Sequence, residues 1–152
     1  MNKRIFKSFL ALFLFSLILS SCKSSFEKLR TSNDPEKIYT EANKYYIEEE
    51  FMKAQILYEM VLPYYKGKKE AEEMYFKFAY TYYNLEDYML AAHYFKSYAN
   101  SFTNSTHREE ALYMAAFSEY QMSPNYQLDQ TQTNKAIDDF QLFVNTFPSS
   151  DK

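Results

Sequence analysis

Residues 78–102 read FAYTYYNLEDYMLAAHYFKSYANSF, and two small residues set among the rings decide the fold. Ala79 and Ala91 stand twelve residues apart; Tyr83 follows the first by four, and Phe95 and Tyr98 follow the second by four and seven. Offsets of three, four and seven fall on one face of an α-helix. The stretch therefore predicts two helices joined by a tight turn around Glu86. A small residue on each helix lets the pair approach closely, and large rings from one fill the holes of the other.

The same lattice recurs on both sides. Ala42, Ala79 and Ala116 are spaced by 37 residues, and Tyr46, Tyr83 and Tyr120 follow them by four. The second alanines are Ala54, Ala91 and Ala136, the last arriving eight residues late. Each has an aromatic four residues on (Tyr58, Phe95, Phe140) and a large apolar residue seven on (Val61, Tyr98, Phe143). Phe51 and Tyr88 precede the first two by three residues. Helices are expected over 35–48, 51–64, 70–84, 87–102, 107–122 and 133–147, with an inserted loop over 123–132. Asp34 and Pro35 give a helix start, Pro63 and Gly67 a helix end, and Thr106 with Glu109 a capping box. A single Gly among 152 residues argues against β-rich folds with many tight turns. The fold class read here is all-α, a solenoid of about three helical hairpins over 35–68, 70–104 and 107–148.

Ahead of the repeats lies a targeting segment. Residues 1–7 carry three cations and no acid, and Phe9 to Leu19 is an apolar run of 11 residues, the size of a signal-peptide core and short of a membrane span. The string Leu19-Ser20-Ser21-Cys22 resembles a bacterial lipobox. Residues 1–21 are expected to be a lipoprotein signal peptide, Cys22 the acylated (palmitate-bearing) residue, and 22–33 a polar flexible tether to the membrane. Without the signal the chain has 14 cationic and 20 acidic side chains, a net of −6, which disfavours nucleic acid as a partner. It also keeps 26 aromatics in 131 residues.

The paired-helix lattice over 34–152 resembles the tetratricopeptide repeat, whose period is about 34 residues. Glu49 and Glu86 stand where that family often has Gly at the turn. Offsets −3, +1 and +4 from each first alanine share one stripe: Tyr39, Asn43 and Tyr46; Phe76, Tyr80 and Tyr83; Tyr113, Phe117 and Tyr120. The resemblance implies that these positions line a peptide-binding groove on the first helices. Some tetratricopeptide proteins clamp a carboxylate from this stripe with Lys, Arg and Asn, and here only Asn43 fits. The Tyr-rich trough, with Glu36, Glu73 and Glu110 at its mouth, suits an extended peptide bearing aromatics. His93 and His107, with a lone Cys, offer no metal or nucleophile pattern. No enzyme activity, metal or cofactor is expected.

A lipobox, a short tether and repeats reading FAYTYYNLEDYMLAAHYFKSYANSF and MSPNYQLDQTQTNKAIDDFQLFVNTFPSS resemble the BamD family of lipoproteins, part of the outer-membrane β-barrel assembly machine. That resemblance implies a lipid anchor in the outer membrane on the periplasmic side. It also implies that the repeats recognise terminal segments of unfolded barrel proteins and dock to the barrel-forming assembly subunit, a role in protein insertion into the membrane. A rival reading is a tetratricopeptide lipoprotein organising cell-envelope or cell-wall enzymes. A glycan-binding lipoprotein would need a longer chain and Trp. The family has roughly five repeats against three here, so the chain is expected to be cut at a repeat boundary. The helix over 133–147 is expected to carry more apolar surface than its partner helix alone can cover.

Overall fold

The computed structural model describes residues 25–152, so the expected signal peptide over 1–21 and the acylated Cys22 lie outside the described residues. The chain divides into two compact units, residues 1–33 and 34–152. Within the first unit, Ser25–Arg30 forms helix α1, held by a Glu27–Arg30 pair at 3.0 Å and by the Thr31 hydroxyl on the carbonyls of Glu27 and Lys28. The tether expected over 22–33 includes this turn and a half of helix.

The second unit holds six helices and, among the described residues, no strand: α2 Pro35–Ile47, α3 Phe51–Tyr65, α4 Glu70–Asn84, α5 Tyr88–Ser101, α6 Arg108–Gln121 and α7 Thr131–Thr146. Each packs most extensively on its neighbours in sequence, giving three successive hairpins. The alanine lattice explains the spacing. Ala42, Ala54, Ala79, Ala91, Ala116 and Ala136 are all buried, and Tyr58, Phe95, Val61, Tyr98 and Phe143 fill the space between the helices. Two hydroxyls at equivalent depth, Thr81 and Ser118, are fully buried and bond back to the carbonyls of Phe78 and Met114. Neither hydroxyl is left without a partner.

The helix ends follow local chemistry. Asp34 Oδ1 accepts from the Lys37 amide at 3.1 Å, and Pro35 fills the first turn of α2, where no backbone donor is needed. Glu49 and Glu86 take the left-handed conformation, at φ 59° and 61°. At each turn the amide of that Glu bonds three residues back, to Tyr46 or Tyr83. The next amide bonds five back, from Glu50 to Tyr45 and from Asp87 to Tyr82. This is the Schellman closure, which usually recruits Gly. The only Gly, Gly67 at φ 80°, follows the end of α3. The third hairpin lacks this closure: α6 ends in right-handed backbone at Met122, and a loop held by Asn125 and Gln130 leads into α7.

Two local expectations are corrected. The capping box of Thr106 with Glu109 does not form. Instead Ser105 Oγ accepts from the His107 amide at 3.0 Å and donates to Glu72 Oε1 at 2.6 Å, with the Tyr98 hydroxyl 2.6 Å away. Ser105 is held by side chains of the preceding hairpin, while Thr106 stays exposed. Helix α7 also begins two residues before the expected 133, because Asp129 Oδ1 accepts from the Thr131 amide at 3.0 Å.

Candidate peptide-binding groove

The first helices of successive hairpins, α2, α4 and α6, are linked side chain to side chain. Lys77 Nζ of α4 donates to Asn43 Oδ1 of α2 at 3.1 Å, and Tyr80 of α4 donates its hydroxyl to Glu110 Oε1 of α6. Tyr83 and Phe117 meet across the same seam, their ring centres 6.3 Å apart. The stripe positions of the three helices therefore form one surface. Helical spacing sets each residue on its own helix, and the 37-residue period brings the three helices into register.

Of the nine expected groove residues, seven are half-buried: Tyr39, Asn43, Tyr46, Tyr80, Tyr83, Tyr113 and Phe117. Tyr120 is 55 % exposed at the far end, stacked on Phe117. Phe76 departs from the expected lining. It is 8 % exposed, packed on Tyr98 and Phe95, and covered by the His107 ring stacked on it at 4.4 Å. Its position belongs to the core, because His107 at the start of α6 lies over it. The remaining rings touch in sequence: Tyr80 to Tyr83, Tyr83 to Phe117, Phe117 to Tyr113 and Tyr120. Tyr39 and Tyr46 instead lean on Tyr58 of α3.

Polar residues that the aromatic pattern did not single out lie between these rings. Asn43 Oδ1 accepts from the Tyr58 hydroxyl at 2.9 Å as well as from Lys77, so its carbonyl is fully used. Lys77 Nζ also lies 3.2 Å from Glu73 Oε1 and 5.8 Å from the Tyr46 ring centre. The other Glu73 oxygen, Oε2, is 3.7 Å from His107 Nε2. Lys77 and His107 were legible only as isolated residues; their meeting depends on how α4 and α6 stack. Glu36, expected at the mouth with Glu73 and Glu110, is exposed on α2.

The phenols are held neutral. Burial raises Tyr46 above the ordinary tyrosine range, and the charges of Glu73 and Glu110 add to the effect. Burial also raises Tyr80, followed by its hydrogen bond to Glu110. Tyr58 is raised by burial and then by Tyr39 and Tyr46 beside it. A surface of neutral phenols and aromatic edges, crossed by a Lys and two carboxylates, can hold flat apolar side chains and hydrogen-bond the polar groups between them. Among the described residues no group of three or more His, Cys, Asp or Glu is placed to hold a metal, and no helix is long and apolar enough to cross a membrane.

No curated protein matches the sequence. A family model described as YfiO, outer membrane lipoprotein, matches residues 31–151, which takes in all three hairpins and the whole aromatic surface. The chain, an all-helical repeat protein by its structure, belongs to this family of outer membrane lipoproteins.

Proposed function

We propose that this chain is a non-enzymatic lipoprotein scaffold of the outer-membrane β-barrel assembly machine, binding aromatic-bearing terminal segments of unfolded barrel proteins. The observation that carries the reading is the row of touching, half-exposed rings from Tyr80 through Tyr83 and Phe117 to Tyr113 and Tyr120. A terminal strand of a barrel protein alternates apolar and polar residues, and an extended segment would set every second side chain onto such a row. Membership of an outer membrane lipoprotein family supports the anchor. In this reading Cys22 carries the lipid, the repeats work on the periplasmic side, and the chain docks to the barrel-forming subunit.

The test is binding of a ten-residue peptide that alternates aromatic and polar residues and ends in Phe. Tyr83→Ala and Tyr80→Ala are expected to weaken binding about tenfold while melting falls by only a few degrees, since both rings are half-exposed. Loss of stability in proportion to binding would place the rings in the core. Unchanged binding by folded variants would remove peptide recognition from this face.

One observation favours the alternative, a scaffold that organises cell-envelope or cell-wall enzymes. Met52 and Met89, one repeat apart, are each 64 % exposed at the starts of α3 and α5. Exposed apolar side chains repeated at the turns suit a folded partner. Met52→Lys with Met89→Lys would then abolish partner capture and spare the peptide.

A further inference from the structure

The three turns that close the hairpins share a composition. Residues 48–50, 85–87 and 122–130 hold six acids, Glu48, Glu49, Glu50, Glu86, Asp87 and Asp129, and no Lys, Arg or His. The five most exposed large apolar side chains among the described residues stand in or beside the same turns. They are Ile47, Met52, Met89, Tyr126 and Leu128, from 63 % to 82 % exposed. Within each hairpin the helices run antiparallel: Tyr46 meets Phe51 and Tyr39 meets Tyr65 in the first, while Tyr83 meets Tyr88 and Phe76 meets Tyr98 in the second. The repeat register therefore sets the three turns at one end of the unit, opposite the end at which the chain enters at Asp34. Two of the acids sit there at a steric disadvantage. Glu49 and Glu86 hold φ 59° and 61°, where glycine is cheaper, and neither side chain makes a hydrogen bond or ion pair among the described residues. Backbone strain that serves nothing inside a fold points to a task at its surface.

We propose that this end of the unit is a docking surface for a partner protein on which Lys or Arg side chains surround exposed apolar ones. The apolar side chains supply contact area, and the unbranched Met52 and Met89 can repack against an uneven surface. The carboxylates select the partner. Glu50 is paired with Lys53 at 3.0 Å, and Asp87 and Asp129 accept the amides of Leu90 and Thr131. Glu48, Glu49 and Glu86 are left to meet cations from outside, which speeds encounter with a basic rim and penalises an acidic one. The same charge disfavours the other occupants. An acidic membrane surface is repelled, and a second copy docked end to end would set acid against acid. The proposal does not depend on peptide binding by the aromatic row.

The probe is a twelve-residue peptide of Lys, Leu and Ser in equal numbers, with two controls, one carrying Glu for every Lys and one carrying Ser for every Leu. Each is titrated into the full chain held in nanodiscs of neutral lipid, with binding to empty discs subtracted. The Lys/Leu peptide is expected to bind about tenfold more tightly than either control at low salt, and the advantage over the Glu control to shrink as salt screens the charges. Glu49→Gly with Glu86→Gly is expected to weaken the Lys/Leu peptide about fivefold. Because both changes relieve the backbone, this variant melts no lower than the unmodified protein, and misfolding cannot account for the loss. Met52→Ser with Met89→Ser is expected to reduce the Lys/Leu peptide to the level of its leucine-free control. Equal binding of the Lys/Leu and Glu/Leu peptides overturns the proposal, as does undiminished binding by the Gly variant. Self-association that the Met52 and Met89 changes abolish would place a second copy on this surface and overturns it too. Failure of the Lys/Leu peptide while the Phe-ended peptide still binds overturns the docking surface and leaves the aromatic row standing.

Discussion

Glu49 and Glu86 occupy backbone that glycine fills more cheaply. A β-carbon in the left-handed region crowds the following carbonyl and costs about 1–2 kcal/mol. Both residues are exposed, so their side chains recover little of that cost by packing. Glu86→Gly and Glu49→Gly are each expected to stabilise the protein by about 1 kcal/mol, raising the melting temperature by about 3 °C. A fall in melting temperature on either change would mean that the carboxylate serves the turn. Alkali probes the residue scale differently. Burial pushes Tyr82 up to about 12 and also raises Tyr46, Tyr58 and Tyr80, whereas an unfolded tyrosine ionises near 10. Above about pH 10 the folded state keeps protons that the unfolded state has lost, so stability is full below that pH and falls as pH rises. Tyr80→Phe removes one of these groups, and urea denaturation between pH 9 and 11 is expected to show a shallower loss.

At the scale of the element, all six helices of the hairpins are legible in the alanine and aromatic spacing, with ends at most two residues from those expected. The reason is that the signal is steric: a hairpin cannot close around anything larger than Ala at 79 and 91, and both are fully buried. What the spacing could not show depends on neighbours distant in sequence. Ser105 rather than Thr106 serves the start of α6 because Glu72 and Tyr98 of the previous hairpin hold it. Phe76 sinks into the core because His107 arrives from the next one. Lys77 acquires meaning only beside Asn43, 34 residues away. Ser105→Ala is expected to cost about 1–2 kcal/mol, by stripping a cap and leaving the Tyr98 hydroxyl without its bond. Thr106→Ala is expected to change stability by less than about 0.5 kcal/mol. Chemical denaturation of the pair checks the assignment, and equal losses would restore the Thr106 cap.

Across the whole repeat unit, the faces of the hairpins are not equally covered. Ile137 and Val144 of α7 are 59 % and 54 % exposed. Their register equivalents in α5, Ala92 and Ala99, are buried beneath the next hairpin, at 1 % and 0 %. Leu142, 51 % exposed, adds apolar surface on another side of α7. The expectation that α7 carries more apolar surface than α6 covers is met by these three, while Phe143 is buried and Phe140 and Phe147 are partly covered. Contiguous apolar surface of this kind drives association. Residues 25–152 are expected to self-associate as concentration rises in light scattering, and Ile137→Lys with Val144→Lys to suppress this without lowering the melting temperature. A monomer at all concentrations would show that the patch is too small to matter.

The links between α2, α4 and α6 have a mechanical consequence. Along the row of first helices the connections are largely polar: Asn43 to Lys77, Glu73 to His107, Tyr80 to Glu110. Deeper in the unit they are rings and alanines in close packing. Polar links in contact with water can exchange partners at little net cost, whereas separating packed rings opens a void. Spreading or narrowing the row therefore deforms the compliant side of the unit while the stiff side acts as a hinge. The repeat unit is thus expected to act as a leaf spring, its row widening or narrowing without the unfolding of any helix.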